Sequence, residues 1–335
     1  MRAIRWGILG AGVISDDFVT GLKSAPGSEV VACWSRTQAR AGELAARHGL
    51  RATATLDELL RADVEVVYVA TPPQSHKEHA LACLAAGKAV LLEKPFAMNA
   101  AEAREIASAA RSAKRFCMEA MWSRFVPAVR ELYLQLKSGR HGEVQSIEAS
   151  LGFAQSRARD GALLDLGVYP LSFVHGVLGA PRDVSAVGSH DEVSAVLGYA
   201  SGAQAAVRCS ARALLRNDAI VWASGARLEV EQPLFRPESF STHALAPPAA
   251  EAAPAPRGGL RAITQRPELR RWVQRAKGLT APRVTLPAIG NGYAHEALEV
   301  NDCLRGGALE SGVLPLDESI AVLETVDRIR GALKS

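Results

Sequence analysis

Gly10 and Gly12, two apart at the end of an apolar run, are the first residues whose types and spacing imply chemistry. A glycine at Gly10 permits a tight turn. Gly12 has no Cβ, so a pyrophosphate can approach the backbone where a following helix starts, at Val13 and Ile14, and where free N–H groups and the helix dipole favour an anion. Ser15 stands where the Gly-x-Gly-x-x-Gly dinucleotide fingerprint has its third glycine, so the motif alone also fits a glycine turn in another α/β protein. Ser35, Arg36 and Arg40 follow the next apolar run. An acidic residue there would bind the ribose hydroxyls of NAD, whereas a hydroxyl and guanidinium groups suit a 2′-phosphate and favour NADP. Lys94 lies between Glu93 and Pro95. The proline restricts Lys94 to extended geometry and makes a cis bond an option there; a lysine so placed is poorly suited to packing, and its plain alternative is a surface pair with Glu93. Asp165 and Tyr169 are four apart, so a helix would put them on one face, as a hydrogen-bonded pair or as parts of a site.

These residues need elements to hold them. Apolar runs at Ile4–Leu9, Glu29–Trp34, Val64–Ala70, Lys88–Leu92 and Phe116–Glu119 read as strands. Helical segments lie between them, at Val13–Lys23, Gln38–His48, His76–Ala86 and Ala100–Ala113, the last capped by Asn99. Alternation of this kind predicts a parallel sheet covered on both faces, with ligands at the carboxyl ends of the strands. Gly10, Ser35, Thr71 and Lys94 all fall at such ends, so four strand tips converge on one crevice.

A chain of 335 residues suggests about two domains. The net charge of +4 is too small, and its basic residues too interspersed with acids, to argue for nucleic acid; a phosphate-bearing cofactor is a sufficient partner. The five cysteines are scattered and form no C-x-x-C pair, which predicts reduced thiols, a cytoplasmic protein and no metal cluster. No signal peptide and no membrane-spanning run is expected.

Ala70-Thr71-Pro72 with His76, followed by Glu93-Lys94-Pro95, resembles the glucose–fructose oxidoreductase/inositol dehydrogenase (Gfo/Idh/MocA) family. The resemblance implies an N-terminal Rossmann domain, assigned to residues 1–120. It further implies a C-terminal α+β substrate and oligomerisation domain, residues 121–335, with a large, mostly antiparallel open sheet. It makes Lys94 a catalytic-site residue and places Thr71, Pro72, His76 and Glu93 near the cofactor. Residues 119–125 and 161–170 resemble the subgroup of dihydrodiol dehydrogenases and NADP-dependent aldose 1-dehydrogenases. By that resemblance Trp122 and Arg124 face the nicotinamide and substrate, Tyr169 is the general acid/base, and Asp165 orients the substrate hydroxyl. Hydride transfer from a carbinol carbon requires the hydroxyl proton to leave. A free tyrosine, with a pKa near ~10, is a poor base at neutral pH, so Lys94 is expected to favour its phenolate. Relatives usually carry a longer loop with a triple glycine before this helix; here only residues 154–160 and Gly161 stand there.

Pro127–Lys137 reads as a helix and Val144–Phe153 as a strand; alternating runs from Ser185 to Val230 read as an antiparallel sheet. One broad face of that sheet must be covered, and in the family it commonly forms a subunit interface, so a homo-oligomer is expected. His175 reads as buried or interfacial. Residues 244–259 read as an Ala/Pro-rich loop, and Pro267 as the start of an amphipathic helix. The stretch from Gly290 to Val300 resembles the family's glycine turn and helix near the active site, where His295 is either a substrate contact or structural. Leu316–Leu333 reads as a final amphipathic helix. The leading expectation is an NADP-dependent oxidoreductase acting on a sugar, polyol or dihydrodiol. The alternatives are an inositol- or keto-sugar-type enzyme of the same family and a non-catalytic dinucleotide-binding sensor or repressor.

Overall fold

The computed structural model describes residues 2–155, 158, 160–245 and 281–333. The Ala/Pro-rich loop and the helix expected from Pro267 lie, apart from the first two loop residues, outside them. Six strands form the first sheet: β1 (Ile4–Leu9), β2 (Ser28–Trp34), β3 (Arg51–Ala52), β4 (Val66–Val69), β5 (Ala89–Glu93) and β6 (Cys117–Ala120). All pair in parallel, in the order β3-β2-β1-β4-β5-β6. The order reverses between β1 and β4, where a doubly wound sheet opens its crevice. Helices α1 (Val13–Leu22), α2 (Gln38–His48), α3 (Leu56–Arg61), α4 (His76–Ala85) and α5 (Ala100–Ala113) make the crossovers. Strands β4 and β5 are buried at every residue, as strands covered on both faces must be. Trp6, Phe18 and Tyr68 are fully buried, and the Phe18 and Tyr68 rings stack with centroids 3.7 Å apart.

Helix α6 (Pro127–Lys137) leads to the second sheet. Its strands are β7 (Val144–Gly152), β8 (Asp183–Gly188), β9 (Glu192–Gly198), β10 (Gln204–Ser210), β11 (Ala219–Ala223), β12 (Ala226–Val230), β13 (Ser239–Ala244) and β14 (Arg283–Thr285). The order is β14-β13-β12-β11-β7-β10-β9-β8, and every pair is antiparallel except β7–β10. Burial alternates along these strands. Ile147, Ala149, Ala195, Leu197, Val207 and Val221 point inward, towards α7 (Val168–Leu178) and its approach, whereas Glu148, Val196, Ala206 and Arg208 face out. The fold is therefore the expected one: a parallel Rossmann sheet followed by an eight-stranded, mostly antiparallel sheet.

Two C-terminal helices tie the halves together. In α8 (Ala294–Gly306), Asn301 accepts from the Trp6 indole at 3.3 Å and donates to Ser28 Oγ at 2.7 Å. In α9 (Leu316–Ala332), Asp327 accepts from the Ala100 backbone N–H at 2.9 Å, and Ser319 donates to buried Glu119 at 2.7 Å. No helix among the described residues is long and apolar enough to cross a membrane. All five cysteines are free.

Candidate active site

At the end of β1, Gly10 has φ +115°, and a Cβ there would lie 2.4 Å from the Ala70 carbonyl oxygen. Any side chain would collide with the tip of β4, so glycine is required for the turn itself. Gly12 differs. A Cβ there would meet nothing within 4 Å, so the fold leaves open space against this backbone. Gly12 is the N-cap of α1 with no side-chain cap, so no side chain satisfies the first-turn N–H groups of this helix beside that space. Val13 is 78% and Ile14 42% exposed on the same turn. Ser15 is wholly buried and its hydroxyl has no partner. An uncapped helix start, an open cradle and exposed apolar residues beside it fit a dinucleotide pyrophosphate. At the tip of β2, Ser35 is partly exposed and Arg36 and Arg40 are exposed, with no hydrogen bond or ion pair from either guanidinium to another described residue. Arg36 bears electrostatically on His79, whose Nδ1 is 3.0 Å from Thr71 Oγ1, so its charge reaches the crevice.

Lys94 follows the last residue of β5, and the Lys94–Pro95 bond is cis. His76, at the start of α4, is fully buried behind this tip. Its Nδ1 lies 2.9 Å from the Pro95 carbonyl oxygen and its Nε2 2.9 Å from that of Thr71, so it couples the tips of β4 and β5. Burial pushes its pKa down to about 4, so the ring is neutral and donates to one of the two carbonyls. His76 thus holds the strand tips from within the protein, not from the open crevice. Glu93 is also buried. It accepts from the Tyr68 hydroxyl at 2.5 Å and from the Lys94 backbone N–H at 3.0 Å. Burial raises its pKa, against the pull of these bonds and of Lys94.

The second domain supplies the other side. Lys94 Nζ donates to Asp165 Oδ1 at 3.0 Å and to the Asp165 carbonyl at 2.9 Å. The same ammonium lies over the Tyr169 ring, 5.1 Å from its centroid. Trp122 Nε1 donates to the Tyr169 hydroxyl at 3.1 Å, and the Trp122 ring stacks on Tyr293 at 4.4 Å. A cavity of about 270 Å³ opens beside Lys94, lined by Ile14, Thr71, Pro73, Lys94, Asp160 and Asp165; Tyr169 is not part of the lining and meets it through Lys94, whose ammonium lies over its ring. The structure therefore brings Lys94, Asp165, Tyr169 and Trp122 together at the carboxyl edge of the parallel sheet.

Several expectations need correction. Asp165 and Tyr169 do not share one regular α-helix. Leu163–Gly167 is a wider π turn and α7 begins only at Val168, so the pair meets Lys94 across a helix irregularity of the kind frequent at functional sites. The tyrosine pKa is raised overall, not lowered: burial, then the negative charge of Glu93, push it up, and the Lys94 ammonium lies over the ring. Arg124 turns away from the crevice. It is buried and pairs with Glu318, donates to Ser172 O at 3.1 Å, and lies over the Tyr133 ring. His175 is buried, as expected, against Thr325 at 2.9 Å. Of the two readings left open for His295 the structure favours the structural one: it accepts from the Ile289 N–H at 2.9 Å and is not among the residues that line the cavity.

Sequence reasoning missed Asp160, Tyr293 and Glu296. Asp160 sits in the shortened loop, where Gly161 with φ +88° turns the chain so that Asp160 accepts from Gln74 of the first domain. No spacing in the sequence announces that contact. Tyr293 and Glu296 lie in the Gly-Asn-Gly-Tyr-Ala-His-Glu stretch already singled out, but there the histidine drew the reading.

Fold and crevice together define a nicotinamide-dinucleotide-dependent oxidoreductase with a two-domain site. Residues 4–121 match a family described as an oxidoreductase family with an NAD-binding Rossmann fold, and residues 129–230 match the GFO/IDH/MocA C-terminal domain. The chain belongs to the Gfo/Idh/MocA family. It is 36% identical to trans-1,2-dihydrobenzene-1,2-diol dehydrogenase of Bos taurus over 351 residues, covering 99% of this chain and 97% of that protein. The Homo sapiens protein of the same name is 34% identical with the same coverage. Among solved structures, a 3-ketoreductase from Actinomadura kijaniata in complex with NADP superposes with a TM-score of 0.78 at 23% identity, covering 99% of this chain and 98% of the other. A UDP-N-acetylglucosamine 3-dehydrogenase from Acidithiobacillus ferrooxidans gives 0.78 at 20% identity, covering 100% and 99%. These two show that the fold is shared.

Proposed function

We propose that this chain is an NADP-dependent dehydrogenase that acts on a hydroxyl carbon of an uncharged cyclic diol, polyol or aldose. The observation that carries the reading is the meeting of Lys94 from the first domain with Asp165 and Tyr169 from the second, beside a cavity next to the uncapped start of α1. The carboxylates of Glu93, Asp160 and Asp165 line that cavity against the single ammonium of Lys94. Such a lining suits hydroxyl groups and repels an anionic substrate. The 36% identity to dihydrodiol dehydrogenases over nearly the whole chain supports the same choice.

The nicotinamide, when bound, accepts or supplies the hydride. The α1 start with Gly12 would hold the pyrophosphate, and Ser35, Arg36 and Arg40 the 2′-phosphate. Lys94 is placed to donate to the reacting oxygen, and Asp165, half in the cavity, to accept from a neighbouring hydroxyl and hold the ring in register. Tyr169 takes the hydroxyl proton in oxidation and returns it in reduction. Its raised pKa keeps the resting phenol protonated, so reduction can draw on that proton directly and oxidation begins with its loss to solvent.

The test mixes the protein with NADP or NAD and, in turn, a benzene trans-dihydrodiol, D-xylose, D-glucose, myo-inositol and a nucleotide sugar, reading reduced-nicotinamide absorbance. NADP-linked turnover of a diol or aldose is expected. Cofactor binding with no turnover on any of them would instead mark a sensor.

A further inference from the structure

Two side-chain hydrogen bonds cross from the first domain to the second beside the cavity at Lys94. One is the Lys94–Asp165 pair; in the other the Gln74 amide donates to Asp160 Oδ1. Lys94, Asp160 and Asp165 line the cavity, as does Pro73 next to Gln74. The backbone fixes both partners of the second bond. Gln74 sits in a single 3₁₀ turn, Pro73–Ser75, in which the Ser75 N–H donates to the Pro72 carbonyl at 2.9 Å and which leads straight into buried His76. Asp160 precedes Gly161, whose φ of +88° suits glycine alone. A Cβ on Gly161 would also lie 3.2 Å from the His190 carbonyl oxygen, which accepts from the Ala162 N–H at 2.8 Å. The Asp165 N–H donates to the Gly161 carbonyl at 3.1 Å, so the two carboxylates belong to one short hydrogen-bonded unit. Asp160 Oδ2 has no hydrogen bond to another described residue. A carboxylate fixed by one oxygen at the edge of a cavity, with the other free, is an acceptor for a ligand's donor.

The path of the cofactor decides which donor that is. With the pyrophosphate at the start of α1 and the 2′-phosphate at Arg36, the other half of the dinucleotide has to pass Ile14 and the tip at Thr71 and Pro73 to reach Lys94. These residues line the same cavity as Asp160. The nicotinamide ribose, between pyrophosphate and ring, brings two hydroxyl donors to it. We propose that Asp160, steadied by Gln74, is a cofactor-binding residue of the second domain: its free carboxylate oxygen accepts from a hydroxyl of the nicotinamide ribose, so that both domains grip the dinucleotide. The proposal rests on the reading that the nicotinamide enters this cavity. That ribose is common to NADP and NAD, so Asp160 serves both, whereas Arg36 distinguishes them.

Calorimetry with NADP, NAD and adenosine 2′,5′-bisphosphate, which lacks the nicotinamide riboside, tests it. Asp160→Ala should weaken NADP and NAD alike, by about tenfold or more, and leave the bisphosphate within about twofold of the parent. Asp160→Asn separates a ribose contact from a mere strut between domains. Its amide oxygen still accepts from Gln74, but the charged second oxygen is gone. A strut predicts parental affinity in this variant; a ribose acceptor predicts a loss of about threefold or more for both dinucleotides. Parental dinucleotide affinity in either variant, or an equal loss of bisphosphate binding, overturns the proposal. So does a raised substrate KM with cofactor affinity intact, which would assign Asp160 to the substrate. All of these leave the dehydrogenase reading standing, whereas a parent that binds neither dinucleotide overturns both.

Discussion

The Lys94 ammonium lies 5.1 Å from the centre of the Tyr169 ring, over its face, and is fastened to Asp165 at 3.0 Å. The two residues come from different domains, so their contact exists only in the assembled two-domain site. The geometry also says what each does before substrate arrives. Lys94 is neutralised by Asp165, and Tyr169 is held by Trp122 with its proton on. Removing either should cost chemistry more than binding. Lys94→Ala and Tyr169→Phe are each expected to lower kcat by about 10²–10⁴-fold while NADP affinity stays within a few fold. Steady-state kinetics with fluorescence titration of the cofactor measure both. Parental turnover in either variant would remove that residue from the reaction.

Arg36 should decide between the two cofactors. Its guanidinium is exposed and has no hydrogen bond or ion pair among the described residues. A guanidinium–phosphate pair is a charge-assisted hydrogen bond worth about 1–3 kcal/mol. Arg36→Ala is accordingly expected to weaken NADP by roughly 10–100-fold and leave NAD nearly unchanged. The parent's preference should shrink as salt rises. Equal losses for both dinucleotides, read by calorimetry, would place the arginine elsewhere.

The sequence made the Rossmann half legible almost residue by residue, because its signals are local. β-branched and leucine-rich runs give buried strands, Asn99 caps α5 by accepting from Glu102 N at 2.9 Å, and Gly10 meets a steric demand that only glycine satisfies. Strand tips then follow from the topology rule. The second domain was legible as alternation, since Ile147, Ala149 and Leu151 must face one way. The parallel β7–β10 pair was not, because register between distant strands leaves no local trace. Arg124 shows the limit at the site. Only the tertiary approach of Glu318, nearly two hundred residues on, decides that it turns inward. Asp160 and the Leu163–Gly167 π turn fail for a related reason. Both depend on how a short loop spans the gap to Gln74.

Glu119 gives the fold a pH dependence of definite sign. It is buried, with Oε1 accepting from the Phe96 N–H at 3.0 Å and Oε2 from Ser319 Oγ at 2.7 Å, and so ties the loop after Lys94 to α9. Burial pushes its pKa up to about 7 from 4.5. Between those values the folded state holds a proton that the unfolded chain has shed. This group's contribution is therefore fully present below pH 4.5 and is lost as pH rises through 7. The swing is on the order of 3 kcal/mol. Glu119→Gln keeps an acceptor for Phe96 and can donate to Ser319, so it should raise the melting midpoint at pH 8 and flatten the slope. An unchanged slope in thermal melts from pH 5 to 8 would refute this account.

The outer face of the second sheet should be covered by another copy of the chain. Val187 and Val196 are 72% and 52% exposed on adjacent strands, and Leu214, from the loop between β10 and β11, is 71% exposed beside them. They edge a groove of about 690 Å³ whose floor includes Ala186, Ala206 and Ile220. An apolar area of this kind on a long antiparallel sheet is unusual for a monomer. A two-fold axis through the face would bring the same patch to itself. Val196→Glu puts a charge in the middle of such an interface without touching the inward core. The expected result is a shift towards monomer in light scattering, with little loss of the isolated chain's helix content. A parent that is monomeric at micromolar concentration would rule the interface out.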